Sequence, residues 1–267
     1  MFRLTYICKN LLVLNVIVFL AAQLPMLNHL DPLMLYSFGS AKFMPYQMVT
    51  YAFMHGGFMH ILFNMLGLVM IGGMLEMVWG PKRFLIYYMT CAVLSALFYM
   101  GYNYYNYHQV EMALDIFNAS PSYEGFNKLV DSIGPKFLNT LKMTTGPNLS
   151  SVLDTYRGEF IDGNFESAKE ASDVLKKVLM FQKDTPMVGA SGAIYGLMIA
   201  LGAMMPETEF SEMLLPIPIK VKYLIPAALI AEYYLTTNAQ PGDNVAHIAH
   251  IGGALCGAIV LLYWYRK

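Results

Sequence analysis

Gly189-Ala190-Ser191-Gly192 stands where an apolar stretch begins, and that placement governs how the rest of the chain is read. The glycines allow backbone to come close, either a neighbouring helix or a bound strand. The serine offers a hydroxyl that becomes a nucleophile once a base stands beside it. The base has to lie at the same depth in the membrane.

Of the 267 residues, 57% are hydrophobic and 13% are charged. Mean hydropathy is +0.46. A soluble domain carries about 25% charged residues. Long runs here are nearly free of charge, which is the pattern of an all-α polytopic membrane protein. Six spans are predicted, at roughly 10–27, 54–75, 84–101, 187–205, 222–237 and 245–264. Leu20-Ala21-Ala22-Gln23-Leu24-Pro25 is a poor cleavage site and the first run is long for a signal peptide, so span one reads as retained. Arg3 and Lys9, Lys82 and Arg83, Lys220 and Lys222, and Arg266 and Lys267 fall on one side of the bilayer. That bias puts both termini in the cytoplasm. A net charge of −1 gives no reason to expect a nucleic-acid partner. Cys8, Cys91 and Cys256 show neither zinc spacing nor a disulfide framework. The 21 methionines read as flexible packing in apolar spans. The N-terminus lacks an Arg- and Ser-rich transit segment, which favours a bacterial inner membrane over a mitochondrion.

Three parts follow: a core of spans one to three at 1–101, an extracytoplasmic insert at 102–183, and a core of spans four to six at 184–267. The first outer loop, 28–53, holds Phe38, Tyr46 and Tyr51 with few charges and reads as packed at the membrane surface. Pro121, Pro135 and Pro147 punctuate the insert. Glu166 to Phe181 is predicted as an amphipathic helix with Ala168, Ala171, Val174, Leu175, Val178 and Leu179 on one side. Asn118-Ala119-Ser120 and Asn148-Leu149-Ser150 match the glycosylation pattern, accidentally so in a bacterial chain. The sequence names no partner for the insert.

Spans two, four and six run in the same direction, so polar residues near their outer ends share one depth. These are His55, His60 and Asn64; Ser191 and Tyr195; His247 and His250. Polar groups within a bilayer are costly and mark function. His60 and Asn64 are four residues apart and share a face, as do Ser191 and Tyr195. His250, Gly253 and Gly257 share another. Gly192 and Gly196 on span four offer a small-residue face that matches Gly253 and Gly257 on span six. Close packing of those spans would bring His250 beside Ser191. Glu76 and Asp243 lie away from these positions, no acidic residue is expected near the pair, and a dyad is predicted rather than a triad.

These residues resemble the rhomboid family of intramembrane serine proteases. His55-Gly56-Gly57-Phe58-Met59-His60-Ile61-Leu62-Phe63-Asn64 is similar to the family's second-helix motif. Gly189-Ala190-Ser191-Gly192 is similar to its Gly-x-Ser-Gly. Ala249-His250-Ile251-Gly252-Gly253 followed by Gly257 is similar to its sixth-helix motif. Glu76, Gly80 and Arg83 resemble the turn after its second helix. The resemblance implies a six-helix bundle in the lipid bilayer that cuts transmembrane protein substrates in or near their spans, without metal or cofactor. It implies Ser191 as nucleophile and His250 as general base. It also implies an oxyanion hole of His60, Asn64 and the Ser191 amide, Tyr195 packed on the His250 ring, Gly189 lining the cleft, and His55 as a polar residue near the mouth.

The Trp-Arg pair found in the first loop of many family members is absent, since Trp79 and Trp264 both lie towards the cytoplasm. His247 is a rival base, but only His250 has glycines three and seven residues on. An inactive relative that binds membrane clients would be expected to lack Ser191 or His250. A transporter needs polar groups through the full depth of its spans, and here they stop halfway. A metalloprotease needs a sequence such as His-Glu-x-x-His, which is absent.

Overall fold

Inside a bilayer each backbone N–H and C=O must find its partner within its own segment, so apolar runs of this length fold as helices. The structure is a computed structural model that describes residues 4–24, 30–134, 148–210, 219–238 and 246–266. Its helices are α1 (Tyr6–Ala22), α2 (Phe58–Trp79), α3 (Pro81–Ala119), α4 (Tyr123–Ile133), α5 (Asn148–Ile161), α6 (Ala168–Lys183), α7 (Ser191–Met204), α8 (Val221–Thr237) and α9 (His247–Tyr265). A π-helical turn, Leu68–Gly72, interrupts the middle of α2. Two strands of two residues each, Glu209–Phe210 and Ile219–Lys220, pair antiparallel between α7 and α8. The fold is an all-α polytopic membrane fold. α2, α3 and α9 are long and apolar enough to cross a bilayer, and α1 and α7 are shorter apolar helices. The outward faces of α8 and α9 expose Ile230, Tyr233, Leu255, Ile259 and Leu262, side chains suited to lipid. Arg3, Lys267, Pro135, Pro147 and Asp243, with the 239–245 connection, lie outside the described residues.

The third span does not stop at 101. α3 runs unbroken to Ala119. Gly101 alone costs a helix only about 1 kcal/mol, and buried Tyr107, Val110, Leu114 and Phe117 follow at helical spacing. This far half of α3 joins α4, α5 and α6 around a second hydrophobic cluster, distinct from that of the spans. Phe126 stands at its centre, with ring centroids 5.7 Å from Phe117 and 5.0 Å from Phe160. The amphipathic helix expected from Glu166 appears as α6, with Ala168, Ala171, Leu175, Val178 and Leu179 buried. Ser122 caps α4 by accepting the Gly125 amide at 3.0 Å.

The first outer loop ties this second cluster to the spans. Its centre is Gln47, which is 1% exposed. The Gln47 amide oxygen accepts the backbone N–H of Tyr36 at 3.3 Å and of Met44 at 3.1 Å. Its amide nitrogen donates to the carbonyls of Pro32 at 3.0 Å and Lys42 at 2.9 Å. One side chain therefore closes the loop on itself, where the Trp-Arg pair is missing. Leu35 and Met187 exchange two backbone hydrogen bonds of 3.0 and 2.8 Å. Ser40 Oγ donates to Asp184 at 2.6 Å, and Ser37 Oγ lies 3.2 Å from the Tyr107 hydroxyl. The loop thus grips the start of α7 and the end of α6 together.

At the opposite end α1 and α9 each reach the turn between α2 and α3. The Glu76 carboxylate accepts from Thr5 Oγ1 and from the amides of Ile7 and Cys8, at 2.8 and 2.9 Å for the amides. An acid there satisfies the orphan N–H groups that begin α1 and complements its dipole. Arg83 sits 4.7 Å from the ring of Trp264, which packs 5.8 Å from Trp79. Between α7 and α8, Glu207 accepts from Lys222 and Lys220, whose hydrogen bonds hold its carboxyl down at about 2. That clamp persists until the pH falls towards 2, and being exposed it shapes the loop more than it stabilises the fold.

Replacing Gln47 by alanine leaves two buried N–H groups without acceptors. The expected result is a loss of about 1–3 kcal/mol, read as a lower unfolding midpoint in detergent, with faster tryptic cleavage after Lys42.

Candidate active site

The site begins with how closely α7 and α9 pack. A methyl group on Gly253 would lie 2.0 Å from the carbonyl oxygen of Gly192, and one on Gly257 would lie 2.7 Å from Gly196 Cα. Backbone therefore touches backbone along this seam. α3 seals it from behind. The Tyr87 hydroxyl lies 3.0 Å from the Gly196 carbonyl and 2.9 Å from that of Gly257, and Ser95 Oγ donates to the Ala249 carbonyl at 2.7 Å. These carbonyls already serve their own helices, so the hydroxyls use a second lone pair to tie α3 across the seam.

The seam brings the first residue of α7 beside the first turn of α9. Ser191 Oγ lies 2.7 Å from His250 Nε2. Tyr195, one turn along α7, stacks on the His250 ring with centroids 4.5 Å apart and planes at 10°. α7 has 14 residues. At 1.5 Å per residue it spans about 21 Å, well short of the ~30 Å hydrocarbon core. A helix that short does not cross the core by itself, so at least one of its ends stops inside it.

The other wall of the site comes from α2. The Gly56 amide donates to His60 Nδ1 at 3.4 Å, which leaves the proton on Nε2. A methyl on Gly189 would come within 2.6 Å of that Nε2 and 3.7 Å of Asn64 Nδ2. Both donors thus border Gly189, two residues before Ser191. Gly189 has φ +121°, a conformation that other residues rarely adopt, and its amide donates to the Tyr51 carbonyl at 3.0 Å. Asn64 Nδ2 is buried with no hydrogen-bond partner. The Ser191 amide opens α7 and so has no intrahelical acceptor. His55 is buried, its ring 5.1 Å edge-on from that of His60.

One expectation is corrected. An acidic residue does stand beside the pair. Glu232, buried on α8, places Oε2 2.6 Å from His247 Nδ1 and 3.0 Å from His250 Nδ1. The second approach is out of line for a hydrogen bond, so its attraction is electrostatic. The Tyr195 hydroxyl donates to Oε1 of the same carboxylate. A lone acid within an apolar span is itself a signal, because lipid does not tolerate it without partners. What the sequence withheld was the rotation of α8 that aims it at α9. Among the described residues, Glu232, His247 and His250 are also the one group with metal-ligand chemistry, their ligand atoms lying within 4.8 Å of one another. Both carboxylate oxygens are already engaged, by Tyr195 and by His247.

A Rhomboid domain family model matches residues 42–121 and 173–267. An uncharacterised mitochondrial rhomboid protein of Schizosaccharomyces pombe is 34% identical over 89 residues, 31% of this chain and 22% of that protein. The matched stretch is thus under a quarter of the yeast protein's length.

The seam makes a sharp prediction about two glycines. Gly253→Ala pushes a methyl into the Gly192 carbonyl and should lower the unfolding midpoint in detergent, by about 1–3 kcal/mol or more. Gly101→Ala adds a methyl that meets nothing within 4 Å, so its midpoint should stay or rise.

Proposed function

The chain belongs to the rhomboid family, and on that premise we propose that it is an intramembrane serine endopeptidase that cuts membrane proteins in or near their spans. The observation that carries this reading is the 2.7 Å approach of His250 Nε2 to Ser191 Oγ. In this reading Nε2 takes the serine proton as Oγ bonds to the scissile carbonyl carbon. The carbonyl π pair moves onto oxygen, where the Ser191 amide, His60 Nε2–H and Asn64 Nδ2–H receive the charge. Collapse of that intermediate breaks the C–N bond, and the imidazolium gives its proton to the leaving amine. Water, deprotonated by the same imidazole, then hydrolyses the acyl ester and frees Ser191. The unmet donor on Asn64 suits this task, because it loses no internal hydrogen bond when it turns to an oxyanion. Tyr195 keeps the His250 ring from rotating. Gly189 presents backbone to an extended substrate, and His55 lends polarity at the mouth.

Loop charges place both termini in the cytoplasm in this reading, with the site opening on the far side. Residues 102–183 are read as an extracytoplasmic insert. Its middle, 122–172, falls outside the family match, and its own aromatic core supports treating it as a unit.

A fluorophosphonate probe should label the wild-type protein and not Ser191→Ala, and cleavage of a transmembrane substrate should disappear in the same variant. A labelled or active Ser191→Ala protein would sink the proposal. His250→Ala should be inactive and His247→Ala partly active. Asn64→Ala should react about 10²–10³-fold more slowly, the usual effect of losing one oxyanion donor.

A further inference from the structure

The proposed dyad leaves one buried charge unexplained. α8 is a poorly anchored helix: among its 17 residues only Val221, Ile225 and Glu232 are buried. The first two lie near its inner end, so in its outer half the one buried side chain is an acid. A carboxylate at that depth is costly unless its oxygens are fully engaged. Here Oε1 accepts from Tyr195, the residue stacked on His250. Oε2 faces the Nδ1 atoms of both His247 and His250. Every contact of this carboxylate therefore leads to the ring of the proposed general base, either directly or through a side chain packed on it or one turn from it.

We infer that Glu232 is a positioning residue for His250, turning the dyad into a site with a third, acidic member delivered by α8. The physical reasons are two. A carboxylate facing Nδ1 favours the tautomer with its proton there, which leaves Nε2 free to accept from Ser191. The same negative charge stabilises the imidazolium that forms during proton transfer, in surroundings where water does little to screen it. Sharing the carboxylate among three groups on α7 and α9 also makes the docking of α8 a condition for a correctly oriented histidine. The proton itself stays on the imidazole, so Glu232 holds and stabilises without exchanging anything.

This inference rests on the serine-peptidase reading, and the test separates the two. Full-length protein in detergent is titrated with a fluorophosphonate probe, giving a saturating labelling rate and a half-saturation concentration for each variant. Glu232→Gln keeps the size and an acceptor oxygen for Tyr195 but loses the charge. Its saturating rate should fall at least tenfold with half-saturation unchanged within about threefold. In a soluble Ser-His-Asp triad the corresponding acid-to-amide change costs about 10⁴ in kcat. Glu232→Asp, which keeps the charge, should recover part of the rate. If Glu232 merely fastened α8, Gln and Asp would affect rate in proportion to the unfolding midpoint, or would shift half-saturation instead. Should Glu232→Gln fail to fold, Tyr195→Phe decides. It keeps the ring on His250 and frees one carboxylate oxygen, and the rate should fall three- to tenfold at constant half-saturation. Labelled wild type with an unslowed Glu232→Gln, or an unslowed Tyr195→Phe, overturns the positioning role alone. Wild type that is never labelled overturns the peptidase reading and this inference with it.

Discussion

The contact of Gly253 with the Gly192 carbonyl is the constraint on which the rest depends. Two helices that touch through side chains lie 8–10 Å apart, a spacing set by whatever side chains fill it. Here no side chain intervenes, and a single methyl would overlap carbonyl oxygen at 2.0 Å. The separation of α7 and α9 is therefore fixed by backbone. That fixes the 2.7 Å between Ser191 and His250, because each stands within the first turn of its helix, next to the point of closest approach. In lipid there is no hydrophobic drive between helices to draw them together. Close packing and hydrogen bonds must do it, which is why small residues line the seam and why Tyr87 and Ser95 reach across it.

The polar groups at the outer end fall into two sorts. Those of Glu232, Tyr195 and His247 are satisfied by one another, so they hold a shape. The amide nitrogen of Asn64 is buried and unmet. Unmet donors away from water are a standing cost of about 1–3 kcal/mol each. A fold tolerates that where the donor acts on something that comes and goes. The division follows the two walls of the site: α7, α8 and α9 supply the engaged groups around the histidine, and α2 supplies the open Asn64 amide beside Gly189.

The second core is not an appendage on a flexible tether. α3 carries its helix straight from the span into the second core, so the two clusters share one rigid rod. At its other end the segment returns through Asp184 and Met187, both held by the first outer loop, only a few residues before Ser191. The loop that closes on Gln47 is thus the joint between the two hydrophobic cores. Its order depends on four hydrogen bonds to one buried amide, a cheap device in sequence terms.

Much of this was legible before any coordinates. Charge-free runs of span length admit only helices in a bilayer, so the helical class follows from composition. Helical spacing put Ser191 with Tyr195, His60 with Asn64, and His250 with its two glycines, because a period of 3.6 residues is local. The sequence was silent wherever rotation of one helix about its axis against another mattered. Glu232 was visible as an acid within a span, yet its direction depends on how α8 docks, and α8 has few buried side chains to announce its inward face. The extension of α3 was likewise hidden, since nothing short of the second core shows why a helix passes Gly101 without stopping. The sequence by itself determined that the chain folds as helices and which residues share a helix face. Only the tertiary structure decided which of them meet across helices, because a contact between helices is set by packing distance and phase, which no local pattern encodes.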